Sequence, residues 1–334
     1  MLPGFLKCFY YRLKGQTIGK HVHFSIGSLL IAKEIRVEEG CSFGFFAIMV
    51  AERIHIGKRV RIASFTFLSA RELAIGDDSA VHEFAFSGIQ EGPHSVLRIG
   101  KRVEVGALTV INPTMGVIIE DDVGIGARSL ILTHGVWQSA LQGYPVKYAP
   151  VTIQKGAWLP WDIFVMPGVT IGQGATIGAR ALVTSDIPPR SLAIGIPAHV
   201  TKNEREYPRS LSFDEKQAIL ADIFQKYAEY AVYKGCLAKF EGTGDSFLVV
   251  MGPRENPKGA ISYAKPAEEI VNQRNITSVL VSLTSIDAEQ GRKLEERGIA
   301  WIDLMHEKRS SHTNALADDF VKFLDRYGIK PIRV

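Results

Sequence analysis

Branched aliphatics recur every six residues through most of residues 56–183. They fall at Ile99, Val105 and Ile111, then after a two-residue slip at Ile119, Ile125 and Ile131, and again at Ile153, Leu159, Val165, Ile171, Ile177 and Val183. A glycine often follows, as in Ile99-Gly100, Val105-Gly106, Ile125-Gly126, Ile171-Gly172 and Ile177-Gly178. Earlier fragments at Ile56-Gly57, Ile62-Ala63, Leu68, Ile75-Gly76 and Val81 keep the period. Neither the 3.6-residue period of a helix nor the two-residue period of a strand fits this spacing. The pattern predicts a parallel β-helix, in which short strands meet at tight corners and every sixth side chain stacks in an interior ladder. The small residue beside each aliphatic suits a bend that a larger Cβ would crowd. An irregular β-sandwich is the structural alternative.

After Val183 the period stops. Lys202, Asn203, Glu204, Arg205, Glu206, Tyr207 and Pro208 read as a charged linker, so the expected domains are 1–203 and 204–334. In the second, Ser212-Phe213-Asp214-Glu215 is a capping box, and Ile219, Leu220, Ile223, Phe224 and Tyr227 share one face of the helix that follows. Residues 247–251, 279–283 and 299–302 read as buried strands, and 288–297 and 315–327 as helices ended by Gly298 and Gly328. The alternation predicts a small α/β domain with a largely parallel sheet.

Composition narrows the class. The 334 residues carry 39 Lys plus Arg against 35 Asp plus Glu, a net charge of +4, and 46% are hydrophobic. This is the make-up of ordinary globular domains and excludes disorder. Cys8, Cys41 and Cys236 are too few and too scattered for a disulfide framework or a CxxC metal site, so a reducing cytoplasm is expected. The uncharged stretches 129–146 and 163–179 are broken by Gly, Pro, Ser, Thr and Gln and do not read as spanning helices, and no signal-peptide pattern is visible. The small net charge gives no support to nucleic-acid binding. Residues 1–33 stand apart, with Lys7, Arg12, Lys14, Lys20 and Lys33, no acid, and the aromatics Phe5, Phe9, Tyr10 and Tyr11. They read as a cap on the first exposed edge, with peripheral contact to the inner face of a membrane as the alternative.

Several motifs carry a resemblance. Thr133-His134 ends one coil; Pro150-Val151-Thr152-Ile153, Gly156-Ala157-Trp158 and Pro167-Gly168-Val169-Thr170-Ile171-Gly172 follow; Ile187-Pro188-Pro189 and Gly195-Ile196-Pro197-Ala198 close the run. With these, residues 15–202 resemble the hexapeptide-repeat acyltransferases of the maltose, galactoside and surface-polysaccharide O-acetyltransferase type. The resemblance implies a left-handed β-helix of three hexads per coil, a homotrimer, and acyl-CoA held in a groove between neighbouring subunits. It implies direct transfer from acetyl-CoA to a carbohydrate hydroxyl, with His134 as general base. Asn112, one coil away, would orient the histidine or simply cap a corner. A backbone N–H near Ala157 or Trp158 would serve the oxyanion. Ala157, Trp158, Trp161, Gly178, Ala179 and Lys202 are the residues expected along the cofactor, with Arg205 beside them. The chain departs from the family at Leu159-Pro160-Trp161, where an Ile-Gly pair is usual, and at His199, where relatives often place Lys or Arg. N-acyl transfer to a nucleotide-linked amino sugar and an inactive assembly scaffold stay open as alternatives.

Other constellations point less far. A zinc hydratase on this fold needs three imidazoles, and no H-x₄-H pair accompanies His82, His94 or His134. Alternation puts His21 and His23 on the same side of a strand, exposed or at a contact between subunits. Gly244-Asp245-Ser246, with Asp303…His306 or His312-Thr313-Asn314, resembles fragments of the Ser-Gly-Asn-His hydrolases, but Ser246 opens a strand where that family's nucleophile follows one. The loop from Gly252 to Gly259 matches neither phosphate-binding glycine motif and reads as an ordinary turn.

Overall fold

The computed structural model describes residues 4–88, 92–252, 258–264 and 277–334. The chain divides into two compact units, Met1–Arg209 and Ser210–Val334. The division falls after Arg209, beyond the 203/204 boundary expected from the charged linker. The reason is local: His199–Lys202 pairs antiparallel with Leu192–Ile194, and the Tyr207 hydroxyl donates to Thr176 Oγ1 at 2.8 Å, which ties the linker to the last coils.

The first unit is a parallel β-helix of very short strands. Among the described residues they form three stacked sheets, here faces A, B and C, which begin at Thr17–Ile18, His23–Phe24 and Leu29–Ile31. Each six-residue step moves the chain to the next face, so Ile99, Val105 and Ile111 lie on A, B and C, and Ile119, Ile125 and Ile131 stand in register above them. All twelve aliphatics of the ladder point inward, none more than 3% exposed. Replacing one by alanine would cost about 2–5 kcal/mol. The small residue after the aliphatic has a steric cause: a Cβ on Gly126 would lie 2.5 Å from the Pro160 carbonyl carbon of the next coil.

The outward sides of the faces differ. Face A carries charge, with Arg53 bonded to Glu72 across one coil step. Face C presents Leu29, Ile48, Phe67, Phe86, Val110, Leu130, Phe164 and Leu182 in one column, all apolar. The corner between B and C runs in the left-handed backbone region through Phe46, Phe65, Phe84, Leu108, Arg128, Asp162 and Arg180, with φ between 53° and 62°. Bulky residues seldom adopt that conformation. Here Phe46, Phe65 and Phe84 stack at 5.8 and 5.3 Å between ring centres and stay exposed.

Helix α1 (Gly4–Leu13) closes the open end of the first coil. Tyr11 lies over Phe24, which stacks on Phe43 at 4.7 Å inside the β-helix. One excursion interrupts the coils. His134–Gly135 and Lys147–Tyr148 form an antiparallel pair, and Trp137 between them is 95% exposed.

In the second unit, α2 (Phe213–Tyr233) starts at Ser212 with the capping box in place. The sheet is mixed and only partly parallel. Ala238–Thr243, Ser246–Met251 and Gly259–Ala264 are antiparallel neighbours, and Thr277–Ser282 and Ala300–Asp303 then add in parallel. The antiparallel half arises because the chain turns straight back at Gly244, whose φ is 62°. Helix α2 and α4 (Ala315–Leu324) bury one side of the sheet around Phe224, Phe247 and Phe320; α3 (Ala288–Glu296) covers Leu280 and Trp301 on the other. Ser246 opens its strand, and residues 253–257 of the glycine loop lie outside the described residues. Among the described residues no helix is long and apolar enough to cross a membrane.

Candidate functional site

His134 leaves face C at its margin with face A, just where the excursion begins. Its Nδ1 lies 3.0 Å from Asn112 Oδ1 on the preceding coil. The same oxygen accepts the backbone N–H of Thr114 at 3.2 Å. A backbone N–H can only donate, so this atom is the amide oxygen and not its nitrogen. When the ring is neutral its proton therefore sits on Nδ1, and Nε2 is the acceptor nitrogen. Thr133 steadies the arrangement by donating to the Asn112 carbonyl at 2.7 Å while accepting from Met115 N–H at 3.1 Å. Tyr148, returning from the excursion, stacks on the imidazole at 5.3 Å with 9° between the planes. The result is a half-buried imidazole held in one orientation.

The residues expected along the cofactor do not gather there. Ala157 points into the core, 1% exposed, and its N–H donates to Gln154 O at 3.2 Å. Trp158 N–H donates to Ala175 O at 2.8 Å. Neither amide is available to an oxyanion, which corrects that expectation: both close the coil itself. The Trp158 side chain is exposed on face B, where Lys202 also lies, at the antiparallel end of the sheet. Trp161, Gly178 and Ala179 sit on the corner between B and C, with Arg180 N–H donating to Trp161 O at 2.9 Å. Face C thus separates this group from His134 within one chain.

That corner holds a groove which sequence reasoning missed. A cavity of about 720 Å³ is lined by Arg128, Asp162, Phe164, Arg180, Leu182 and Ile196. Arg128 bonds Asp162 at 2.5 Å, and the Arg180 guanidinium stands 4.0 Å from the same carboxylate and is largely exposed. The three charged residues occupy one corner position on successive coils, a signal visible only once the coils are aligned across the excursion. Pro160 takes the position of Gly126 and Gly178 in the adjacent column. It lacks the N–H by which those glycines bond the next coil, at 2.6 Å to Leu159 O and 2.7 Å to Ala193 O. The path is undisturbed, because Leu159 keeps its place in the ladder.

A second histidine has a carboxylate partner elsewhere on the first unit. His82 Nε2 lies 2.6 Å from Glu104 Oε2, and this hydrogen bond raises the His82 pKa above its ordinary value.

No family model matches the chain. A Schizosaccharomyces pombe protein provisionally named an acetyltransferase is 52% identical over 58 residues, 17% of this chain and 28% of that protein. A similarly named Staphylococcus aureus protein is 44% identical over 70 residues, 21% and 35% of the two chains. Galactoside O-acetyltransferase of Escherichia coli is 30% identical over 119 residues, 32% and 58%. The chain thus spans about a third of the first curated relatives and just over half of the last. Among solved structures, a hexapeptide-repeat acetyltransferase of Vibrio cholerae complexed with acetyl coenzyme A is 22% identical with a TM-score of 0.32, over 39% of this chain and 73% of that one. The polySia-specific acetyltransferase NeuO is 19% identical with a TM-score of 0.33, over 66% and 97%. The fold is a parallel β-helix built of hexapeptide repeats. Part of it is similar in sequence to proteins named acetyltransferases.

Proposed function

We propose that this chain is an acetyl-CoA-dependent O-acetyltransferase acting on a carbohydrate hydroxyl, with His134 as general base. The observation that carries the reading is the bond from His134 to Asn112, whose oxygen is identified by the Thr114 N–H. The donor supplies an acyl group activated as a thioester. His134 Nε2 takes the proton of the acceptor hydroxyl as its oxygen attacks the thioester carbonyl, and returns that proton to the departing sulfur. Asn112 holds the ring in the tautomer this requires. The similarity to galactoside O-acetyltransferase supports a sugar acceptor, and a cytoplasmic setting, where acetyl-CoA is available, fits this reading.

The residues of the groove suit the donor. Arg128 and Arg180 offer guanidinium groups to phosphates, and Phe164 with Leu182 and Ile196 offers apolar walls. This groove and His134 lie on opposite margins of face C, so one chain's groove serves its neighbour's histidine. A cyclic homotrimer closed through the apolar column of face C brings unlike margins together. The test is release of free CoA by the purified protein with acetyl-CoA and a panel of sugar acceptors. His134→Ala should lower turnover by about 10²–10⁴-fold and leave the affinity for acetyl-CoA close to unchanged. Unaltered turnover in that variant overturns the mechanism.

A further inference from the structure

Helix α1 is turned inside out. It buries Lys7 and Tyr11, and it shows Phe5, Phe9 and Leu13 to solvent at 74%, 60% and 70% exposure. Those three residues are spaced i, i+4 and i+8, one line along the helix. The orientation is locked from beneath. Lys7 Nζ donates to Ser25 O at 2.8 Å, Ser28 O at 2.9 Å and Ser28 Oγ at 3.2 Å, which uses all three of its protons. Tyr11 OH accepts from Leu30 N–H at 2.8 Å and donates to Leu30 O at 3.1 Å. Rolling the helix over to hide its apolar line would break every one of these bonds.

We infer that the outer side of α1 docks on an anionic lipid bilayer surface, Phe5, Phe9 and Leu13 entering the interface and Lys14 and Lys20 meeting the headgroups. Charge selects this occupant. The first acid in the sequence is Glu34, so the helix and the turn after it present only positive charge around the apolar line. Aromatic side chains rimmed by Lys and Arg are the pattern of helices that lie in a bilayer interface. Between α1 and the first coils runs a groove of about 330 Å³ lined by Lys7, Tyr10, Tyr11, Ser28, Leu29 and Phe46. A second copy of the chain is the less fitting occupant, because α1 lies across the end of the β-helix and not on face C. In a cyclic assembly every α1 falls at the same pole, and shared attachment multiplies a weak individual contact.

The experiment is co-sedimentation of the full chain with vesicles of phosphatidylcholine alone or with phosphatidylglycerol added, at low and high salt. The expected result is partitioning at least about tenfold stronger to the anionic vesicles, weakened by salt. Phe5→Ser with Phe9→Ser should abolish it, and Lys14→Glu with Lys20→Glu should remove the preference for anionic lipid, all with melting temperature and solution mass unchanged. No preference for anionic vesicles, or equal binding by the serine variant, overturns the inference. So does a serine variant whose solution mass falls, since the occupant is then another copy of the chain.

Discussion

Asn112 and His134 are 22 residues apart, yet the coil geometry sets the amide oxygen 3.0 Å from the ring nitrogen. The pair works only as long as Asn112 accepts. Asn112→Ala should therefore lower turnover about tenfold, the effect of losing roughly one hydrogen bond's worth of orientation. Asn112→Asp keeps the acceptor and adds a negative charge, which favours the imidazolium. Its rate profile should shift to higher pH, whereas a purely structural role for Asn112 would leave the shape of that profile alone.

His82 and Glu104 make a separate pH dependence, this time of stability. The hydrogen bond to Glu104 raises the histidine pKa against the opposing effect of burial. A raised folded-state value means stabilisation that is complete below the unfolded pKa of about 6.5 and fades as pH rises through the folded value. Glu104→Gln should lower the melting temperature by about 1–3 °C at pH 5.5 and not at pH 9, since the pair is partly exposed. Melting curves at the two pH values check it.

Asp303 plays a heavier part in the second unit. It is buried, and it accepts from the N–H groups of Ile286, Met305 and His306 and from the His306 ring at 2.9–3.1 Å. Burial raises its pKa, but the bonds from the His306 ring and the backbone more than reverse this, and the net shift is downward. Its contribution is thus present above about pH 4 and lost as pH falls through the depressed value. Asp303→Ala should destabilise the unit by about 2–4 kcal/mol near neutral pH. Urea unfolding followed through the fluorescence of Trp301 reports it.

The exposed ring stack on the B–C corner offers a test of assembly. If the proposed trimer forms through face C, Phe65→Glu combined with Phe84→Glu on the corner that borders that face should yield monomers in sedimentation velocity, with the far-ultraviolet circular dichroism unchanged. A trimer that survives both charges assigns self-association to a different surface.

The interior of the β-helix was legible because each coil repeats the same test, an aliphatic that must point inward and a small residue that must clear the next coil. His134 stood out for a different reason, a motif at a coil end, and the structure sets it against Asn112. The groove was hidden, since Arg128, Asp162 and Arg180 become neighbours only when the 134–150 excursion is looped out. The amides of Ala157 and Trp158 were misread because sequence cannot show that the coil already uses them. In the second unit, the alternation of Ala238-Lys239-Phe240-Glu241 is only four residues long before Gly242, too short a signal to mark a strand, so the antiparallel hairpin and the mixed character of the sheet were not foreseen. Helix α1 escaped as well: a buried lysine and an exposed phenylalanine invert the usual assignment of faces.

The coils also act as a ruler. Five steps of the ladder, Leu29 to Ile48, Phe67, Phe86, Val110 and Leu130, separate the end closed by α1 from the coil that carries His134. At about 4.8 Å per step His134 stands roughly 24 Å from that end. Adding or removing whole coils would change this height in fixed increments and leave both ends intact, while a partial coil survives only if it bulges outward, as the 134–150 excursion does. How far His134 is held from the capped end is therefore a counted quantity, set by the number of turns between them.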